Sequence, residues 1–297
     1  MATETEGTFQ VGDISLYTKT WTPAGPIRAK LILVHGFSDH VNWYSEVLRE
    51  LATHGIQTFG FDQRGWGRSV KKSSDKGLTG PTSQVIADVA AFIQDKLPST
   101  EPLFVMGHSM GGGEVLTLAG DPKYESLVSQ VRGWLLEAPF VGFAPEEDPS
   151  FIKVAAGRLA GRLMPRFQLR HVIPADNITR DKEVALGMTN DPLCHDTGTL
   201  EGLASLLDRT AALASGSVTL GKQVRSLWLG HGDVDKACSY DVAIKFAERQ
   251  DIQDKTIKTY KGGYHALHVD LVKAEFTKDI VDWILERSEP APVEAKL

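Results

Sequence analysis

The chain predicts a mostly parallel α/β sheet covered by helices on both faces, and three observations predict it. Short apolar runs recur at residues 30–35, 57–62, 102–108, 131–138, 224–231 and 255–260. A continuous apolar run, unlike an alternating one, marks a strand buried on both faces, as parallel strands are. Helical periodicity fills most of the intervals, so strand and helix alternate as βαβ units require. Finally, the run at 102–108 feeds straight into Gly107-His108-Ser109-Met110-Gly111, a G-x-S-x-G sequence at a strand-to-helix turn.

The elements follow in order. Residues 8–21 alternate apolar and polar around Gly12-Asp13, which reads as an antiparallel hairpin at a sheet edge. Residues 82–97 place Val85, Ile86, Val89, Ile93 and Leu97 on one helical face. The last helix does the same with Val272, Phe276, Ile280 and Trp283. Between about residues 140 and 221 the alternation stops. No strand is convincing there, and helical pieces separated by Pro149, Pro165, Pro174 and Pro192 predict a helical cap inserted between two core strands. Residues 1–297 read as one domain, with 288–297 as a flexible Pro- and Glu-rich tail.

Composition narrows the function classes. A chain of 297 residues with 42% hydrophobic content can bury a sizeable core. Its net charge of -6 offers no global attraction to nucleic acid, which is not expected as a partner. Cys194 and Cys238 are the only cysteines, so no disulfide framework is implied and a reducing compartment fits. The polar first ten residues lack an apolar leader core, and no run reaches the roughly 18 apolar residues of a membrane span. A soluble intracellular protein is the expectation. The final Ala295-Lys296-Leu297 is close to the Ser-Lys-Leu peroxisomal address, although three residues also match by chance.

The chemistry starts at Ser109. A lone G-x-S-x-G arises by chance in roughly one chain in ten at this glycine content, so the apolar strand before it and helix formers Glu114, Leu116 and Leu118 after it carry the inference. A serine hydroxyl attacks an ester only when a base takes its proton and a third group orients that base. In an open parallel sheet such groups gather past the carboxyl ends of strands. Two later loops qualify, His231-Gly232-Asp233-Val234-Asp235 and Gly262-Gly263-Tyr264-His265-Ala266-Leu267-His268. Asp235 lies further into its loop than Asp233 and is the better orienting acid; Glu137 is a third candidate, and capping the helix near Ser239 is the plain alternative role. His265 is the better base, placed by Gly262-Gly263 at the start of the closing helix, with His268 packing or bonding beneath it. His231 and His108 read as structural histidines at strand ends. The oxyanion donors are the backbone N–H of Met110, which opens a helix, and that of Phe37 in the loop after the strand at 30–35. No spacing matches a metal site, and no cofactor is expected.

Together these residues resemble the monoacylglycerol lipase family of the α/β-hydrolase superfamily. The resemblance covers most of the chain: His35-Gly36-Phe37, Asp62-Gln63-Arg64-Gly65-Trp66-Gly67-Arg68-Ser69, Gly107-His108-Ser109-Met110-Gly111-Gly112, Asn190-Asp191-Pro192-Leu193, Gly232-Asp233-Val234-Asp235 and Tyr264-His265-Ala266-Leu267-His268. It implies an α/β-hydrolase fold and a serine hydrolase that cleaves monoacylglycerol to glycerol and fatty acid through an acyl-enzyme. It implies the triad Ser109, Asp235 and His265, and a cysteine near the glycerol-side pocket at Cys238, which otherwise reads as a buried structural thiol. The family's animal members carry a smaller residue where Phe37 stands. A carboxylesterase or lysophospholipase would use the same triad, and a non-catalytic binder on this fold is the remaining alternative.

One cap segment stands apart. Arg158, Arg162, Arg166 and Arg170 recur every four residues with no evident acidic partner, joined by Lys153, while Phe151, Val154, Leu159 and Leu163 supply apolar contacts. This basic amphipathic stretch is expected to face substrate or to touch a membrane or lipid-droplet surface; a helix packed on the core with solvated arginines is the plain alternative. Nothing in the pattern specifies an oligomeric state.

Overall fold

The structure, a computed structural model, describes residues 2–145 and 151–289, and for residues 151–156 the backbone alone. Ten strands occur among these: β1 (Thr3–Val11), β2 (Ile14–Thr22), β3 (Ala29–Val34), β4 (Ile56–Phe61), β5 (Leu103–His108), β6 (Gly133–Glu137), β7 (Gln168–Arg170), β8 (Thr197–Thr199), β9 (Ser226–Gly232) and β10 (Asp254–Tyr260). The α-helices are α1 (Ser45–Thr53), α2 (Thr82–Asp95), α3 (Met110–Gly120), α4 (Glu125–Val128), α5 (Phe151–Leu163), α6 (Ala175–Ile178), α7 (Lys182–Asn190), α8 (Leu200–Ser215), α9 (Tyr240–Glu248) and α10 (Lys273–Glu286).

Eight strands form one sheet in the order β1-β2-β4-β3-β5-β6-β9-β10. β1 and β2 pair antiparallel, β2 meets β4 antiparallel, and every other pairing is parallel. The pleat explains why the inner strands carry consecutive apolar residues. In β3, Leu31 and Leu33 enter one core while Ile32 and Val34 enter the other; β5 splits Phe104 and Met106 from Leu103 and Val105 in the same way. One core gathers residues of α2, α3 and α9, the other those of α1 and α10. Burying both faces holds the sheet rigid, so the carboxyl ends of β3, β5, β6, β9 and β10 form a fixed edge.

Three expectations need correction. β1 begins at Thr3, well before residue 8, because Thr3–Gly7 pairs with Thr18–Thr22 although its exposed side chains carry no apolar alternation. His265 does not open the last helix: a loop and a short 3₁₀ turn, Leu267–Val269, separate it from α10. The stretch between β6 and β9 is not strand-free either. Beside α5 to α8 it holds an antiparallel ribbon of β7 with β8, whose three-residue strands are too short to show a period. The side chains of Phe151, Lys153 and Val154, and the tripeptide Ala295-Lys296-Leu297, lie outside the described residues.

Candidate active site

Ser109 stands between β5 and α3 with φ 53° and ψ -119°, a backbone strain that a nucleophile elbow imposes on its serine. Neighbouring glycines make the turn sterically feasible. A Cβ on Gly107 would lie 2.5 Å from the Gly111 carbonyl oxygen, and one on Gly111 would lie 2.3 Å from that of Val34. The elbow is pinned from both sides, since Ser109 N–H donates to the Glu137 carbonyl at 3.0 Å and Phe140 N–H to the Ser109 carbonyl at 2.8 Å.

Beside it, His265 Nδ1 lies 2.8 Å from Asp235 Oδ2. A carboxylate can only accept, so Nδ1 carries the proton and Nε2 is left free as a base. Asp235 Oδ2 also accepts from His231 Nε2 at 2.9 Å, while Oδ1 accepts the N–H groups of Ala237 and Cys238 at 2.8 and 2.9 Å. Burial alone would raise this carboxyl; the His265 charge and the two imidazole hydrogen bonds outweigh it and hold Asp235 far below the usual carboxylate range. For His265 burial opposes protonation, but the facing Asp235 charge wins and raises its pKa well above the ordinary 6.5. Asp233 does other work: its carboxylate accepts the Gly262 N–H at 2.6 Å and fastens the β10 loop that carries His265.

The oxyanion loop after β3 is set by a buried histidine. Gln63 N–H donates to His35 Nε2 at 2.9 Å, so the ring proton sits on Nδ1, 2.8 Å from the Gly36 carbonyl it serves. A Cβ on Gly36 would lie 3.2 Å from Ser109 Cβ, which measures how closely this loop passes the nucleophile. Phe37 N–H makes no backbone hydrogen bond among the described residues, and Met110, first in α3, has no intrahelical acceptor for its N–H. Both donors are therefore available near the Ser109 side chain.

Beneath His265 lies a polar layer in which His268 bonds, as its place one turn on suggested, and whose partners spacing did not reveal. Glu137 Oε1 accepts from both the N–H and Nδ1–H of His268, at 3.0 and 2.7 Å. Burial opposes a charged Glu137, yet His268, which faces it and donates to it twice, keeps its pKa below the ordinary value. His108, driven by burial down to about 3 and hence neutral, bonds Tyr44 Oη at 2.7 Å, and Tyr44 donates in turn to Asp39 at 2.5 Å. Cys238 is buried with its Sγ 3.9 Å from Ser109 Oγ. Three side-chain groups have metal-ligand types within reach, His40 with Asp191 and Cys194, His108 with Glu137 and His268, and Asp235 with Cys238 and His265. Each already spends a carboxylate oxygen or an imidazole nitrogen on a protein hydrogen bond.

Ser109, His265 and Phe37 face a pocket of about 680 Å³, the size of a drug-like or single-chain lipid ligand. The cap lines it with apolar Val172, Ile178, Ala185, Leu186 and Met188, and with polar Arg170, Asp176, Lys182 and Thr189. Among the cap arginines the structure corrects the expectation of missing partners. Arg158 pairs with Asp208 at 2.6 Å and Arg170 with Asp196 at 3.4 Å, across 50 and 26 residues of chain, whereas Arg162 and Arg166 have no carboxylate partner among the described residues. Leu159 and Leu163 are exposed and do not line the pocket.

An α/β-hydrolase sheet with a strained serine elbow and a His–Asp pair at its carboxyl edge defines the class. The family model described as serine aminopeptidase S33 matches residues 25–271, and the chain belongs to that family of α/β-hydrolases. The chain is 32% identical over 284 residues to a Schizosaccharomyces pombe protein provisionally named a monoglyceride lipase, covering 93% of this chain and 72% of that one. It is 28% identical over 288 residues to the Homo sapiens monoglyceride lipase, covering 93% and 88%. In fold it is similar to a soluble variant of the Saccharomyces cerevisiae monoglyceride lipase solved with a substrate analog, at TM-score 0.85 and 21% identity over 97% of each chain. Within the α/β-hydrolases, then, it is a member of the monoglyceride lipase family.

Proposed function

We propose that this chain cleaves monoacylglycerols to glycerol and a free fatty acid. The observation that carries the reading is the 2.8 Å His265–Asp235 bond set beside the Ser109 elbow at the floor of one lipid-sized pocket. Ser109 Oγ attacks the ester carbonyl while His265 Nε2 takes its proton and then hands it to the departing glycerol oxygen. The N–H groups of Phe37 and Met110 stabilise the tetrahedral oxyanion. Water activated by the same imidazole releases the acyl group, and Asp235 stabilises the imidazolium at both stages. The apolar side chains that the cap lends to the pocket suit an acyl chain.

Contact with a lipid surface extends this reading. Leu163, Met164 and Phe167 are exposed beside Arg162 and Arg166, which have no carboxylate partner among the described residues, so apolar anchors and cations lie together on the cap.

Ser109→Ala tests the core reading. It should keep the fold by circular dichroism and lose at least about 10⁴-fold in monoacylglycerol turnover, together with all labelling by a serine-directed phosphonate. Retained labelling refutes the assignment. A parallel panel of monoacylglycerol, diacylglycerol, lysophospholipid and short esters separates this substrate class from its neighbours.

A further inference from the structure

The oxyanion loop is tied to the cap by a link that the catalytic reading does not use. Ser38, directly after Phe37, has φ 53°, and Asp196, directly before β8, has φ 54°. Neither is glycine, and an L side chain resists this left-handed region. The two strained residues hold each other across 158 positions of sequence. Ser38 Oγ donates to Asp196 Oδ1 at 3.2 Å, and Asp196 N–H donates back to Ser38 Oγ at 2.7 Å. Asp196 is braced in turn, for its carbonyl accepts the His171 N–H at 2.7 Å. An aromatic wedge runs parallel to the link: Phe37 meets Trp66 edge-on at 4.8 Å, and Trp66 stacks on His195 at 5.0 Å.

We infer that Ser38 and Asp196 are positioning residues, a latch by which the cap ribbon holds the oxyanion loop in its working conformation. The inference rests on the serine-hydrolase reading above. The φ at Ser38 directs the Phe37–Ser38 peptide and so helps fix where Phe37 sits, and the Phe37 N–H must point at a charge that exists only in the tetrahedral intermediate. Loss of the latch therefore acts on the chemical step and leaves ground-state binding in the apolar pocket alone. Because the latch opposes a cost that only a β-carbon creates, glycine at position 38 removes the need for it.

The test compares Ser38→Ala with Ser38→Gly in the full chain. Both lose the two hydrogen bonds, but only alanine keeps the conformational cost. Ser38→Ala should lower kcat for monoacylglycerol and the phosphonate labelling rate of Ser109 by about 10- to 100-fold, with KM changed less than about twofold. Ser38→Gly should stay within about threefold of the parent on both. Should Ser38→Ala fail to fold, the coupling is read from Asp196→Gly: about tenfold lower kcat alone, and less than about twofold lower in the Ser38→Gly background. Wild-type kcat in Ser38→Ala, an equal fall in Ser38→Gly, a loss carried by KM, or equal effects of Asp196→Gly in both backgrounds overturns the latch. If these appear while Ser109→Ala still abolishes turnover, the latch alone fails; turnover surviving in Ser109→Ala removes the reading beneath it.

Discussion

The carboxyl edge of the sheet and the cap above it solve opposite problems. At the edge the acid and the base are buried and held: the Asp235 side chain is fully buried and receives four hydrogen bonds, and the His265 side chain is 4% exposed. In the cap, large apolar groups stand in solvent, Leu163 at 73% and Leu186 at 64% exposure, along with Arg158 and Arg170, each held by one carboxylate. Where a proton must move between two atoms, geometry is fixed by backbone and buried charge. Where a flexible amphiphile must be captured, an adaptable apolar surface serves better. The difference teaches that substitutions at the edge should alter the chemical step or the fold, and those on the exposed apolar and basic face of the cap only delivery of substrate.

The largest effect should come from Asp235→Asn, which keeps the shape but no longer stabilises the imidazolium. A fall in kcat of about 10⁴-fold is expected. Its pH profile sharpens the point. His265 works as a base only when neutral and its pKa is raised, so the acid limb of kcat/KM should lie above 6.5 in the parent and move down in the variant. An unmoved limb would separate Asp235 from the titration of the base.

Glu137→Leu comes next and should strike stability. It strands the N–H and Nδ1–H of a buried His268, costing about 3 kcal/mol, read as a lower urea midpoint at unchanged m. If it instead lowers kcat more than Asp235→Asn does, Glu137 is the orienting acid.

The smallest effect belongs to the cap. Exchanging Arg162 and Arg166 for Glu should weaken binding to anionic vesicles by about 1 kcal/mol per charge and leave turnover of a soluble ester unchanged. Unchanged vesicle binding ends the docking idea, and a loss on the soluble ester erases the contrast between the two regions.

The sequence was legible where burial is uniform. Strands such as β3 and β5 carry runs of consecutive apolar residues, Leu31–Val34 and Leu103–Met106, because both faces are covered, and that marks them without an alignment. Ser109, Asp235 and His265 were legible because a parallel sheet brings its strand ends together whatever lies between them. What stayed hidden depends on pairing across distance. The β7–β8 ribbon has too few residues for periodicity, the Arg158–Asp208 pair joins two helices, and His231 shares Asp235 through a register only the fold sets. The Ser38–Asp196 contact left no local mark, apart from a serine where a loop beside a nucleophile invites glycine.

The β7–β8 ribbon has a mechanical consequence. Thr199 sends both its N–H and its hydroxyl to the Gly77 carbonyl, and Gln168 reaches the carbonyls of Ser73 and Lys76, so the ribbon is sewn to a loop of the main body. Arg170 brings the ribbon to the pocket wall, so part of the lining is fastened to the main body through hydrogen bonds made far from the catalytic serine.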